Sequence, residues 1–283
     1  MPAGGREAAL HLHPCLHRAG IDRTTRSENP VNAAIRLSSK WFACPRSKPQ
    51  AATRLFFLPY AGGGPAVFTG WCAELPAHIE GQVVHYPGRG SRFNEDAVTG
   101  MPRMVDELAN AIQPWLDRPF AFFGHSMGGL IAYELAHLLR ARSLPTPDLL
   151  FVSACGAPHL PDPNPKIHQL PDDEFLSELD QLNGIPAELK HPEAMDLLLP
   201  VVRADFQLIE TYVYNPARPP LDFPILALGA LDDPRISRER IEGWAAHTAS
   251  AFTARYFPGG HFFIHHARQP ILEFLYEKIR LTH

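Results

Sequence analysis

Phe120-Ala-Phe-Phe123 runs directly into Gly124-His125-Ser126-Met127-Gly128-Gly129, and a mostly apolar segment reaching about Arg140 follows. The apolar run before the glycine predicts a buried strand, and the segment after it predicts a helix packed deep against a sheet. Gly124-His-Ser-Met-Gly128 matches G-x-S-x-G. Set between a strand and a helix, this pattern is a strained turn that lifts the serine hydroxyl above the sheet. The glycines permit the tight turn and the close approach of neighbouring backbone. Ser126 also stands at a helix N-terminus, where N–H groups and the helix dipole favour negative charge. Small residues recur by chance, so the flanking strand and helix carry the weight of the reading.

The pattern around this stretch alternates. Arg54-Leu-Phe-Phe-Leu58 is a short apolar run that ends in Pro59 and the cluster Gly62-Gly-Gly64, a buried strand entering a loop. A helix is expected over 65–75, and Gln82-Val-Val-His-Tyr86 reads as a strand stopped by Pro87-Gly88. Val105, Leu108, Ile112 and Leu116 stand at helical spacing within 102–116. Downstream, Leu149-Leu-Phe-Val-Ser153, Pro224-Ile-Leu-Ala-Leu228 and Phe252-Thr-Ala-Arg-Tyr-Phe257 read as strands. Helices are expected over 237–247 and 269–281. Ser237 is a candidate N-cap, but Arg240 stands where a capping box needs Glu or Gln. Strands alternating with helices imply an α/β fold: a mostly parallel central sheet with helices on both faces. Between Ser153 and Phe223 no strand is evident. Acidic, Leu-rich segments over 172–182 and 194–214 predict helices instead, and an insertion of this length, about 157–220, is expected to act as a helical lid. The alternative is a merely decorative insert.

A serine hydroxyl needs a base, and the base needs a group that orients it. In the α/β-hydrolase fold an acid follows a late strand and a histidine follows the last one. Leu228-Gly-Ala-Leu-Asp232-Asp233-Pro234 and Phe257-Pro-Gly-Gly-His261 supply both in that order. His261 is singled out from the other histidines by the Pro-Gly-Gly turn that presents it. His265 and His266 read as neighbours at a helix start. A His261/His265 zinc pair would need a helix across both, which the preceding Gly-Gly turn opposes. Spacing alone does not separate Asp232 from Asp233; Pro234, which fixes the turn directly after Asp233, favours Asp233. For the oxyanion, the N–H of Met127 is one expected donor, and the Pro59-Tyr60-Ala61-Gly62-Gly63 loop supplies the other, taken as the Ala61 N–H. That glycine cluster lacks the G-x-x-x-x-G-K-[ST] arrangement of a phosphate-binding loop.

Composition narrows the classes. The 283 residues suit one large α/β domain, with 45% hydrophobic and 20% charged residues and a formal charge of −4. There is no basic stripe of a nucleic-acid binder and no apolar run of membrane-span length. Cys15, Cys44, Cys72 and Cys155 form neither a disulfide framework nor paired zinc spacing, so a reducing cytoplasm is the expected compartment and no metal or cofactor is expected. Residues 1–40 lack periodicity and a signal-type apolar stretch, and they read as a disordered extension before a 41–283 hydrolase domain. An Arg-rich targeting leader is the competing reading of that segment. His11, His13, Cys15 and His17 within it could hold a metal only loosely.

From Trp41 onward the chain resembles the type II thioesterases that accompany non-ribosomal peptide and polyketide synthases, which are related to the medium-chain fatty-acid-synthase thioesterase. The resemblance rests on Leu58-Pro-Tyr-Ala-Gly-Gly63, Tyr86-Pro-Gly-Arg89, Phe123-Gly-His-Ser-Met-Gly-Gly129, Leu199-Pro-Val-Val-Arg-Ala-Asp205, Asp233-Pro234 and Phe257-Pro-Gly-Gly-His-Phe-Phe263. The family often has His where Tyr60 stands, and the N-terminal extension lies outside the pattern. The resemblance implies a Ser126–His261–Asp233 triad. It implies acyl groups carried as thioesters on the phosphopantetheine arm of carrier proteins, cleared from blocked synthase modules by a cytoplasmic monomer. It makes Tyr60, Met127 and the Leu and Phe residues of the insert candidates for lining the acyl chamber. Because carrier proteins are usually acidic, Arg89, Arg92, Arg140 and Arg203 are candidates for a basic entrance. The rival readings are a carboxylesterase or lipase acting on small free esters, a non-catalytic carrier-binding protein of the same fold, and an acyltransferase.

Overall fold

The computed structural model describes residues 39–181 and 192–282. Seven strands form one sheet in the order β1-β3-β2-β4-β5-β6-β7: β1 Phe42–Ala43, β2 Thr53–Leu58, β3 Ile79–Val84, β4 Phe120–His125, β5 Leu149–Ser153, β6 Ile225–Ala230 and β7 Phe252–Phe257. Only the β1–β3 pair is antiparallel. The chain is therefore an α/β-hydrolase-type sheet with helices on both faces, as the alternation implied. Strand β4 lies centrally between β2 and β5, so its C-terminal end opens over the middle of the sheet.

The continuous apolar runs are explained by burial on two faces. Phe56, Leu58, Phe120 and Phe122 point into one core with helices α2 (Met101–Ile112) and α3 (Met127–Ala141). Leu55, Phe57, Ala121 and Phe123 point into the other, with helices α1 (Ala66–Glu74) and α7 (Arg268–Thr282). The helices α4 (Asp172–Gln181) and α5 (Pro192–Glu210) lie in the insertion between β5 and β6. Ile167, Phe175 and Leu179 form a small separate apolar cluster there, closed by Leu199, Val202 and Phe206 of α5.

Several expectations change. Strand β3 starts at Ile79, ahead of the expected Gln82, and ends at Val84. Its polar Glu80 disguises the start; the carboxylate is buried because it meets Arg54 Nε at 3.0 Å, and Arg54 is itself buried in β2. Edge strand β1 has two residues and offers no periodicity to read. The expected helix over 102–116 stops at Ile112 and tightens into a 3₁₀ turn, Gln113–Trp115, where Pro114 has no N–H to continue the ladder. The expected 237–247 helix divides into α6 (Arg238–Glu242) and a 3₁₀ turn, Gly243–His247, that buries Trp244 and His247. Ser237 does cap it, accepting the Arg240 N–H. Helix α5 ends at Glu210 and not near Tyr214. The four arginines offered as a basic entrance are committed elsewhere. Arg89 pairs with Asp205 and Arg92 with Glu95; Arg140 holds the Pro219 and Pro220 carbonyls, and Arg203 binds Asp172. The His11, His13, Cys15 and His17 stretch lies outside the described residues, and no helix among those described is long and apolar enough to cross a membrane.

Buried histidines link this packing to pH. His247 lies between Tyr133 Oη (3.0 Å) and His159 Nδ1 (2.7 Å). Burial, with the charges of His159 and Arg218, lowers it to about 4. Burial, with Arg218 and Arg140 nearby, lowers His137 to about 3. The unfolded chain takes up these protons near pH 6.5, whereas the folded chain does so only near 4 and 3. Their contribution to stability is therefore complete above about pH 6.5 and is lost as pH falls from there toward the folded values. Urea unfolding at stepped pH should show this decline, and His247→Asn should make it shallower. An unchanged slope in the variant would remove His247 from the explanation.

Candidate active site

Ser126 connects β4 to α3 with φ 52° and ψ −119°. A non-glycine residue there is strained and persists only where its surroundings hold it. Its N–H donates to Ser153 O at 2.7 Å, and its carbonyl accepts the Gly129 N–H at 2.9 Å. The flanking glycines are required by contact. A Cβ on Gly128 would lie 2.0 Å from Leu58 O, and one on Gly124 would lie 2.2 Å from Gly128 O.

The two later loops converge on this turn. Gly259, at φ +106°, turns the chain after β7 and brings His261 over the serine. His261 Nε2 lies 3.0 Å from Ser126 Oγ, and Nδ1 lies 2.9 Å from Asp233 Oδ2. Asp233 Oδ1 accepts the N–H groups of Arg235 and Ile236 at 2.9 and 3.2 Å. Burial pushes the Asp233 carboxyl up, but the His261 contact and these two N–H donors outweigh it and hold the group below its ordinary value. Asp232 is exposed and serves through its backbone, donating N–H to Gly259 O at 3.0 Å. Geometry thus separates the two aspartates that spacing left open.

A cavity of about 400 Å³ opens beside the serine. Ala61, Ser126, Met127 and His261 line it, and Leu130, Leu160, Phe206, Ile209 and Tyr212 supply apolar wall. Phe206 and Ile209 come from α5, so the insertion does border the chamber. Tyr60 is placed differently from expectation. Its ring packs edge-on against His125 and Phe262, and its hydroxyl, pushed up to about 12 by burial, lies 3.1 Å from His265 Nε2. It is not among the described residues lining the chamber. His125 packs against His261 with its Nδ1 2.9 Å from Ser153 Oγ. Burial, followed by the charges of His261 and His265, holds it well below the ordinary histidine value, so it is a neutral support for the ring above it. Nothing in the sequence singles out this residue or the wall residue Leu130, because a packed side chain and a chamber wall look alike in one dimension, whereas Leu160 and Phe206 are among the insert's Leu and Phe residues expected there.

The thioesterase domain family matches residues 53–279. The chain belongs to that family. It is 42% identical over 238 residues to the Brevibacillus parabrevis protein named linear gramicidin dehydrogenase LgrE, a match covering 83% of this chain and 90% of that one. Among solved structures, the type II thioesterase BorB from the borrelidin biosynthetic cluster is 33% identical with a TM-score of 0.77, covering 84% of this chain and 96% of BorB. RedJ, the thioesterase from the prodiginine biosynthetic pathway in Streptomyces coelicolor, is 38% identical with a TM-score of 0.77, covering 82% of this chain and 92% of RedJ.

The crowding at the turn is directly testable. Gly128→Ala is expected to destabilise the thioesterase by about 3 kcal/mol or more, since a fixed carbonyl must move. Gly100→Ala, whose Cβ would meet nothing within 4 Å, should cost less than about 1 kcal/mol as a weaker helix cap. Equal losses in guanidinium melts of the two variants would contradict the packing argument.

Proposed function

We propose that this thioesterase hydrolyses acyl groups from the phosphopantetheine arm of carrier proteins, clearing blocked modules of non-ribosomal peptide or polyketide synthases. The single observation that carries the chemistry is the line Ser126–His261–Asp233, with contacts of 3.0 and 2.9 Å, at the mouth of the chamber. The carrier-bound substrate is supported by likeness to thioesterases named for biosynthetic clusters and pathways.

In this reading Ser126 Oγ attacks the thioester carbonyl while His261 Nε2 takes the hydroxyl proton. The electron pair of the carbonyl moves onto oxygen, and the N–H groups of Met127 and Ala61 donate hydrogen bonds to the resulting oxyanion. Collapse breaks the C–S bond, and His261 returns its proton to the departing thiolate. That thiol leaves readily, because its pKa is about 8.5, like that of a cysteine. Water, deprotonated by His261, then attacks the acyl-serine, releasing the carboxylic acid and restoring Ser126. Asp233 holds the imidazole in place and balances its transient positive charge. Cys155 also lines the chamber, with burial pushing its thiol up to about 12, but its Sγ faces the Gly156 carbonyl at 3.8 Å, whereas His261 Nε2 stands 3.0 Å from Ser126 Oγ. Residues 41–283 form the hydrolase domain, and the 157–220 insertion acts as its lid over the acyl chain. The free thiols of Cys44, Cys72 and Cys155 suit action in a reducing cytoplasm.

The deciding assay offers acetyl- or propionyl-phosphopantetheinyl carrier protein beside a matched p-nitrophenyl ester, with products read by mass spectrometry. Release from the carrier should be the faster reaction and should vanish in Ser126→Ala. Rapid ester cleavage beside an untouched carrier would replace this reading with a general esterase. Asp233→Asn should lower kcat by about 10⁴-fold, the loss typical of a triad that holds the wrong tautomer. Asp232→Asn should leave kcat close to that of the parent.

A further inference from the structure

The loop that carries Ala61 is held mainly from outside. Tyr86 Oη donates to Pro59 O at 3.3 Å, and Arg89 Nη1 donates to Gly63 O at 3.2 Å. Between them, the Gly62 N–H donates to Asp205 Oδ2 at 2.7 Å. Asp205 is fully buried and also takes both arms of the Arg89 guanidinium, at 2.7 and 2.8 Å. It belongs to helix α5, whose Phe206, Ile209 and Glu210 line the acyl chamber. The same helix presses on the loop a second time: at Gly62, with φ +76°, a Cβ would lie 2.9 Å from Val202 Cγ2.

These contacts bear on one peptide plane. The Gly62 N–H shares a rigid peptide unit with the Ala61 carbonyl. Fixing that N–H therefore restricts how Ala61 rotates, and with it where the Ala61 N–H points. The fixing bond is a charge-assisted one to a carboxylate, shorter and stronger than a neutral bond. Arg89 in turn keeps that carboxylate from being a buried charge without a partner.

We infer that Asp205 is a positioning residue for the oxyanion loop, so that a competent oxyanion site exists only while α5 is seated against Arg89 and Gly62. The inference rests on the Ser126 chemistry proposed above. Its consequence is coupling between substrate and catalysis. An acyl chain packed on Phe206 and Ile209 steadies the helix that aims the donor for its own carbonyl oxygen. A helix that swings away withdraws Asp205, frees the Gly62 N–H and leaves Arg89 unpaired.

The test separates aiming from folding. In Arg89→Met/Asp205→Leu both charges are replaced by apolar side chains, an exchange that often preserves or raises stability in buried ion pairs. Three quantities are measured on it: thermal midpoint, steady-state hydrolysis of an acyl-pantetheine thioester, and affinity for an alkyl boronic acid. On binding, Ser126 Oγ bonds to boron, its proton passes to His261, and a boron hydroxyl takes the oxyanion position. A thioether analogue, with a methylene in place of the carbonyl, reports binding that does not use the oxyanion donors.

The double variant should melt at or above the parent temperature, yet lose about 10²-fold in kcat, as for removal of one oxyanion donor. Boronate affinity should fall by a similar factor, while KM and thioether binding stay nearly unchanged. Asp205→Asn keeps an oxygen that can accept the Gly62 N–H, and it should lose less than the double variant. Parent-like kcat and boronate affinity in a folded double variant would overturn the inference alone. Equal losses in thioether and boronate binding would also overturn it, because they would mark a general collapse of the chamber. A parent protein that neither hydrolyses the thioester nor binds the boronate would overturn the proposed chemistry, and the inference with it.

Discussion

Ser126 sits at φ 52°, where its Cβ crowds its own backbone, and the turn around it closes only because two residues have no Cβ at all. Such a conformation costs on the order of 1–3 kcal/mol and has to be held by its surroundings. The holding comes from the middle of the sheet. Strand β4 is paired on both sides, the Ser126 N–H is tied to Ser153 at the end of β5, and Gly128 is pressed against the Leu58 carbonyl at the end of β2. Three neighbouring strand ends thus fix one side chain. The hydroxyl is presented where the N-terminus of α3 favours developing negative charge. The loops after β6 and β7 then have a fixed point to meet, and the Leu231-to-Phe257 and Asp232-to-Gly259 backbone bonds join them to each other before either reaches the serine.

Electrostatics sharpen that arrangement. Asp233 is held below its ordinary value by His261 and two backbone donors despite its burial, so a negative charge lies beside His261 Nδ1. His125, one position before the serine, is kept neutral by burial and by its proximity to His261, so it adds no competing charge against the His261 ring. The insertion contributes on two fronts at once. Its helix α5 walls the chamber with Phe206 and Ile209 and reaches the Ala61 loop through Asp205.

Much of this was legible in the sequence, for reasons that lie in particular residues. The strand–turn–helix at Ser126 reads clearly because apolar strand, small residues and apolar helix follow without interruption. His261 reads clearly because a Pro-Gly-Gly turn follows a strand. What could not be read depends on contacts across the chain. Glu80 hid the start of β3, since its partner Arg54 lies 26 residues away. Asp232 and Asp233 are equivalent by spacing, and it takes the His261 Nδ1 contact and the Arg235 and Ile236 N–H groups to show which carboxylate is turned inward. Arg89 could not be placed from the sequence because nothing local announces its buried partner Asp205, 116 residues away. The resemblance offered Tyr60 as a chamber residue, but its ring turns toward Phe262 and His265.

If acyl groups pass through Ser126, rapid-quench mixing with an acyl-loaded carrier protein, followed by proteolysis and peptide mass spectrometry, should catch them there. A transient acyl mass is expected on the peptide containing Ser126, formed and lost at rates that match release of free acid. Acid released at the full rate with that peptide never modified, or with the acyl mass on the Cys155 peptide instead, would rule out passage through Ser126.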